Sequence, residues 1–280
     1  MPIRLIALDL DGTALDPAGE LRPAVVGAVE RAKASGVRVA LCTGRRHRTS
    51  FPVIEALNLA GPAVVQNGVL IKDGPSGRTL ERRGLDSDVY SEAIRLYRSV
   101  GSPLVFVDEP HTDFFYEAFD LSSGTHDFQA EYLNDHGASG TQVANLAKRP
   151  SDAVVMISCM ADTRGLGQLR TQLVESLGEH VRTNQIQNKN YRGDILEVVS
   201  PHSGKWAGVL WICENEGIDP ADVLAIGDDR NDADMVEHAG IGVAMGNAVE
   251  SVKDVADYVT ESNAEDGAAR AIEKFALETG

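Results

Sequence analysis

Residues 4–16, RLIALDLDGTALD, constrain this chain more than any other stretch. The apolar run Leu5-Ile6-Ala7-Leu8 has the length of one buried strand and is flanked by turn chemistry. It breaks into Asp9-Leu10-Asp11-Gly12-Thr13, and strand alternation predicts that Asp9 and Asp11 share one side. Gly12 lets the backbone turn sharply just past them. Two carboxylates at the carboxyl end of a buried strand repel each other and call for a cation or a shared proton. An Asp-Gly turn that merely caps the next helix is the plainer alternative. Against it stands the apolar strand, because ligands of open parallel sheets bind at that edge.

The next segments give the sheet its direction. Residues 23–35 carry Val25, Val26, Val29 and Ala32 at helical spacing, with Pro23 suited to a first turn and Gly36 to a stop. Residues 37–42, VRVALC, form a second strand that ends in Thr43-Gly44-Arg45-Arg46. Strand, helix and strand over this length make a right-handed βαβ unit, which brings Thr43 beside Asp9. A hydroxyl, a flexible backbone and a cation at a strand end make an anion nest, although a three-residue match also fits an ordinary polar turn. A helix at 51–59 and a third strand at 63–65 follow, ending in Gln66-Asn67-Gly68. Residues 69–71 and 78–80 then suggest hairpin-like strands, where the parallel pattern stops.

Residues 83–190 have a different texture. Helices at 86–99 and 164–177 and strands near 104–108, 113–119 and 153–159 suggest a small α+β module inserted into the parallel domain. Its aromatics, Tyr90, Tyr97, Phe106, Phe114, Phe115, Tyr116, Phe119, Phe128 and Tyr132, are expected mostly to fill a core. The parallel pattern is expected to resume with a strand at 195–199, so that residues 1–82 and 191–280 form the main domain. Lys205 then opens a helix running to about 216. A cation at a helix's positive end is unfavourable unless an anion sits there, and a solvated Lys beside a cap is the harmless alternative. The strand at 222–226 ends in Gly227-Asp228-Asp229-Arg230-Asn231-Asp232, a second acidic turn at the mouth of an apolar strand. Two such turns on one sheet edge indicate a divalent-cation site, and hard oxygen ligands with room for water and phosphate suit Mg²⁺. Helices at 233–239, 249–255 and 265–278 and strands at 241–245 and 258–260 close the chain.

Composition narrows the partners. A formal charge of −16 argues against nucleic acid and against an acidic membrane surface, so an anionic substrate must be held by local cations or metal. Hydrophobic and charged fractions of 43% and 24% place the chain among ordinary soluble globular proteins. Cys42, Cys159 and Cys213 lack ligand spacing and are expected to be reduced, buried thiols. With no signal-peptide layout and no apolar run of membrane-spanning length, a cytoplasmic location is expected.

Taken together, DLDGT, TGR, Lys205 and GDDRND resemble the four motifs of the haloacid dehalogenase superfamily, in order and with fitting spacing. Gln66-Asn67-Gly68, AGIGVAMGNA at 239–248 and VTESNAEDG at 259–267 narrow the resemblance to its Cof-type phosphatases with a large α/β (C2B) cap. Ala14 and Leu15 depart from the family's usual two Leu, and Asp229-Arg230 fills a variable part of the fourth motif. The resemblance implies an α/β fold: a Rossmann-like, three-layer parallel-sheet core at 1–82 and 191–280 with an inserted α+β cap at 83–190.

It also implies roles. Asp9 would be the nucleophile that forms an aspartyl-phosphate, and Asp11 the general acid and then base, which asks it to carry a proton in the closed site. Mg²⁺ would be held by Asp9, the Asp11 carbonyl and Asp228, while Asp232 would hold the metal's waters or orient Lys205. Thr43, Gly44, Lys205 and Asn231 would grip the phosphate oxygens, and Arg45 would lie near the substrate. The implied activity is hydrolysis of the phosphomonoester of a small metabolite, such as a sugar phosphate or phosphorylated cofactor, by a monomer or small homo-oligomer. A phosphosugar mutase with the same core is the alternative. A non-catalytic regulatory binder would predict a damaged motif, yet Asp9, Asp11, Thr43, Lys205, Asp228 and Asp232 are all present.

Overall fold

The computed structural model describes residues 2–118, 127–148, 153–187 and 193–277. It divides into two compact units, Met1–Arg82 with Ser203–Gly280, and Arg83–His202. In chain order the first unit begins with β1 (Leu5–Leu8), α1 (Pro23–Ala34), β2 (Arg38–Leu41), α2 (His47–Ala56), β3 (Pro62–Val65), β4 (Leu70–Asp73) and β5 (Thr79–Arg82). The second unit holds α3 (Ser87–Tyr97), β6 (Leu104–Val107), β7 (Phe114–Glu117), α4 (Asp127–His136), β8 (Gly140–Val143), β9 (Val154–Ala161), α5 (Thr163–Leu177), β10 (Arg182–Gln187) and β11 (Asp194–Val199). The chain returns to the first unit with α6 (Lys205–Glu216), β12 (Val223–Gly227), α7 (Ala233–His238), β13 (Ile241–Ala244), α8 (Glu250–Lys253), β14 (Tyr258–Val259) and α9 (Gly267–Ile272).

The first unit is built on a parallel sheet in the order β14-β13-β12-β1-β2. Every residue of β1 and β12 is buried, as strands covered on both faces must be. Their register, Leu5 beside Val223 and Leu8 beside Ile226, with Leu8 beside Leu41 of β2, brings three strand ends to one edge. A core of Leu5, Ala7, Ala40, Val64, Val209, Ile212 and Ala225 packs α6 against the sheet. α6 comes so close that a Cβ at Gly208 would lie 2.5 Å from a Val64 methyl. A single parallel bridge from Cys42 to Val64 leads from β2 to the antiparallel sheet β3-β4-β5. α2 begins at His47, one turn before the residue expected from sequence, and carries Pro52 inside it. The closing helix starts two residues later than expected: Asp266 takes φ +62°, α9 begins at Gly267, and a π-helical segment carries the run on to Leu277.

The second unit is a sheet in the order β10-β11-β9-β6-β7-β8, antiparallel except between β7 and β8. α3 and α5 cover one face through Tyr97, Ile94, Leu166, Leu169 and Leu173, against Val105, Ile157, Leu196 and Val198. Tyr90, Tyr97, Phe106, Phe114 and Phe115 are buried, so these aromatics do pack a core. Phe119 and the side chain of Phe128 lie outside the described residues, as does the expected boundary at 190/191.

One expectation is corrected here. The strand at 195–199 does not rejoin the parallel sheet; β11 pairs antiparallel with β9 and β10 in the second unit. Its sequence carries the reason, because Glu197 interrupts the apolar run and leaves Leu196 and Val198 alone facing the helices. That alternation belongs to a strand covered differently on its two faces, not to one buried on both. Among the described residues, no helix is long and apolar enough to cross a membrane.

Candidate active site

Three consequences of the parallel register meet at one edge of the first unit. Asp9 directly follows β1, its backbone N–H donating to Ile226 O at 3.1 Å. Asp228 directly follows β12, and Asp232 closes the short turn after it. Lys205 is the first residue of α6. All four are buried. The Lys205 ammonium donates to Asp9 Oδ1 and to Asp232 Oδ1, each at 2.6 Å. A cation at the positive end of a helix is thus offset by two carboxylates of the protein itself, and the solvated-Lys alternative does not hold.

The second oxygen of Asp232 accepts from the backbone N–H groups of Asp228 and Asp229, at 3.1 and 3.0 Å. Asp232 is therefore fully engaged as a brace. Asp228 accepts from Thr13 Oγ1 at 3.1 Å and more weakly from Asn247 Nδ2 at 3.4 Å. Gly12, at φ +81°, lies so near that a Cβ there would stand 2.2 Å from Asp228 Oδ2. The glycine of DLDGT is required for this approach as well as for the turn.

Electrostatics follow from the enclosure. Burial raises the Asp9 carboxyl well above its ordinary range, and the neighbouring Asp232 raises it further against the pull of Lys205. Burial and Asp232 push Asp228 up to about 7. Burial disfavours the Lys205 charge, but Asp232 and Asp9 outweigh it and the ammonium is held firmly protonated. Carboxylate oxygens of Asp9, Asp228 and Asp232 all lie within 4.8 Å of one another. Three carboxylates around one ammonium leave an excess of negative charge on oxygen donors alone, a set that fits a hard divalent cation.

Asp11 departs from the strand-alternation expectation. β1 ends at Leu8 and the chain turns at once, so Asp9 is buried while the Asp11 side chain is 57% exposed. Asp11 instead meets Arg45 in a two-pronged ion pair, Nε to Oδ2 at 2.8 Å. Its carboxylate stands outside the cluster of three. Thr43 is buried, its N–H donating to Val64 O at 2.9 Å and its Oγ1 accepting from Arg45 N at 3.1 Å. Gly44 lies against the Asn67 amide, whose Oδ1 accepts from Asn231 Nδ2 at 2.9 Å. The register therefore brings Asp9, Thr43, Lys205, Asp228 and Asp232 to one sheet edge, with Gly44, Arg45 and Asn231 on the turns beside it. Asn188, Asn190, Tyr191 and Arg192, which the sequence offers as substrate contacts only through their proximity to the return strand, lie outside the described residues.

The profile of the haloacid dehalogenase-like hydrolases matches residues 6–272, nearly the whole chain. The chain belongs to that family. Among haloacid dehalogenase-like relatives, it is 28% identical to the 5-amino-6-(5-phospho-D-ribitylamino)uracil phosphatase YitU of Bacillus subtilis, over 97% of each protein. It is 29% identical to the pyridoxal phosphate phosphatase YbhA of Escherichia coli, over 97% of this chain and 98% of that one. A chloroplast endoribonuclease YBEY of Arabidopsis thaliana is 29% identical along 97% of this chain, which spans only 46% of that protein. Among solved structures, a haloacid dehalogenase-like hydrolase from Bacteroides thetaiotaomicron superposes with a TM-score of 0.79 at 27% identity, covering 97% of this chain and 99% of that one. This haloacid dehalogenase-like chain is a phosphatase, a hydrolase of phosphomonoesters.

Sequence reasoning missed the scaffolding around the nucleophile loop. Asn247 donates to Gly12 O at 2.9 Å and accepts from Asn263 N at 2.8 Å, while Asn263 donates to Leu15 O at 2.8 Å. The signal for both is their position: Asn247 lies just after β13 and Asn263 just after β14, at the sheet edge that carries the acidic turns.

Proposed function

We propose that this chain cleaves the phosphomonoester of a small phosphorylated metabolite by attack of Asp9 on phosphorus, with Mg²⁺ held by Asp9 and Asp228. The observation that carries this reading is the Lys205 ammonium bridging Asp9 and Asp232 at 2.6 Å each, beside Asp228. Asp232, with both oxygens engaged, orients Lys205 and the 228–229 backbone. The Asp11 carbonyl, carried over from the family's motif, completes the proposed ligand set. When bound, the cation neutralises the carboxylates and the phosphoryl oxygens, so that an anionic nucleophile can meet an anionic substrate.

A carboxylate oxygen of Asp9 forms a bond to phosphorus as the bond to the leaving oxygen breaks. That oxygen takes the proton of Asp11 and departs as an alcohol, leaving phosphate on Asp9. Asp11, now a carboxylate, removes a proton from water. The hydroxide attacks phosphorus, releasing inorganic phosphate and the Asp9 carboxylate. For this Asp11 must leave Arg45, and an ion pair this exposed costs about 1 kcal/mol or less to break. Arg45 is then released to the substrate. Lys205, Thr43, the Gly44 backbone and Asn231 hold the phosphate oxygens, where positioning and charge account for most of the acceleration.

The substrate class follows from the relatives, whose substrates include pyridoxal phosphate and a phosphoribitylaminouracil. We place this chain's substrate among such phosphorylated cofactors, their precursors and sugar phosphates. Asp9→Asn is expected to lower release of phosphate from p-nitrophenyl phosphate at least about 1,000-fold. Chelator should silence the native enzyme and Mg²⁺ restore it. Substantial turnover by Asp9→Asn removes the nucleophile assignment, and indifference to chelator removes the metal.

A further inference from the structure

We propose that Asn67 is a positioning residue for phosphate binding, one that fixes Asn231 and the Thr43–Arg45 loop. The proposal rests on the assignment of Asn231 and Gly44 to the phosphate and adds the group that aims them. Gln66, Asn67 and Gly68 follow one another at φ +49°, +56° and +78°. Glycine takes such angles at no cost and Asn tolerates them, but Gln does not favour them. Strain of this kind persists only where the surroundings over-determine it, and it clusters at functional sites.

The surroundings here are the phosphate-site turns themselves. Gln66 N donates to Arg45 O at 2.9 Å and Asn67 N to Thr43 O at 3.0 Å, stapling the Thr43–Arg45 turn from outside. Gly68 abuts Gly204, the residue before Lys205, so closely that a Cβ would stand 2.0 Å from the Gly204 carbonyl oxygen. The Asn67 side chain faces Gly44, whose added Cβ would be 3.0 Å from Oδ1, and the same oxygen accepts from Asn231 Nδ2 at 2.9 Å. One left-handed turn thus touches three separate segments of the proposed phosphate site. An amide nitrogen has two protons. With one given to Asn67, the Asn231 amide is oriented and its second proton is left to offer to a phosphate oxygen.

The test is a double-variant cycle of Asn67→Gly and Asn231→Ala in the full-length enzyme. It reads KM and kcat with p-nitrophenyl phosphate, the dissociation constant of inorganic phosphate in Mg²⁺, and the melting temperature. Asn67→Gly is expected to raise KM and the phosphate dissociation constant about tenfold, with a smaller change in kcat. Its melting temperature should hold or rise, since Gly accepts φ +56° without strain. In the Asn231→Ala background its effect should be smaller than it is alone, leaving only what the contact with Gly44 supplies. Unchanged phosphate affinity in Asn67→Gly, a marked fall in its melting temperature, effects that multiply in the double variant, or a silent Asn231→Ala would each overturn the proposal. Loss of the phosphatase assignment shows separately, as an unsubstituted enzyme that neither turns over nor binds phosphate, and it removes this proposal with it.

Discussion

Lys205 decides whether two buried carboxylates can coexist. Its ammonium lies 2.6 Å from both Asp9 and Asp232, and all three groups are almost fully shut from solvent. Breaking a buried ion network by removing one partner leaves uncompensated charge, at a cost of about 3–5 kcal/mol. Lys205→Met, similar in length but uncharged, should therefore destabilise the metal-free protein by about that much in denaturant unfolding. The loss should shrink as pH falls, because the raised Asp9 carboxyl then takes up a proton and the repulsion with Asp232 disappears. A variant as stable as the native protein at neutral pH would show that the ammonium is not what holds the cluster. At this scale the residue types of the site were legible in the sequence and the resemblance implied their roles, but their unequal enclosure was not legible. Asp9 and Asp11 look equivalent two residues apart, yet one is sealed at the end of β1 and the other reaches out to Arg45. Alternation governs side-chain direction only while the chain stays extended, and the helical backbone of Leu10, between the two carboxylates, ends that.

Elements add two tests. α5 is capped by Asp162, whose side chain accepts from the backbone N–H groups of Arg164 and Gly165 at 3.1 and 3.0 Å. Asp162→Ala should cost about 1 kcal/mol, seen as a lower midpoint in urea with an unchanged slope. β11 carries a different burden in Glu197. The residue is only half-buried, but its Oε2 is closed off without a hydrogen-bond partner, and burial pushes the carboxyl up to about 7 despite a bond from Asn184. A carboxyl raised in the folded state holds its proton longer there than in the unfolded chain. Its contribution is therefore complete below the ordinary carboxylate range and fades as pH climbs to about 7. Glu197→Gln should gain stability relative to the native protein between pH 4.5 and 7, by up to about 3 kcal/mol. Parallel pH profiles for the two proteins would exclude this. The same residue marks where element-level expectation went astray: a strand's β character is local, whereas its sheet is chosen by distant partners, here β9 and β10.

For the whole molecule, a charge of −16 works against an anionic substrate, so attraction must be supplied locally by Lys205, Arg45 and a bound cation. The resemblance implies that the inserted segment selects the substrate, and the second unit, Arg83–His202, has a sheet and a core of its own that can be exchanged as a piece. Exchanging that unit for its counterpart from a related phosphatase should reorder kcat/KM across phosphorylated metabolites while leaving the requirement for Mg²⁺ intact. An unchanged order of preference would refute the assignment. By itself the sequence determined the parallel core, because β1 and β12 are buried on both faces and such strands must be written as unbroken apolar runs. It likewise determined that acidic turns follow those strands, since what comes after a strand is a matter of chain order. Only the tertiary structure decided that Lys205 bridges Asp9 to Asp232, that Asp11 turns away to Arg45, and that Asn67 meets Asn231 across 164 residues. Those pairings depend on register and close approach between distant segments, which local composition does not encode.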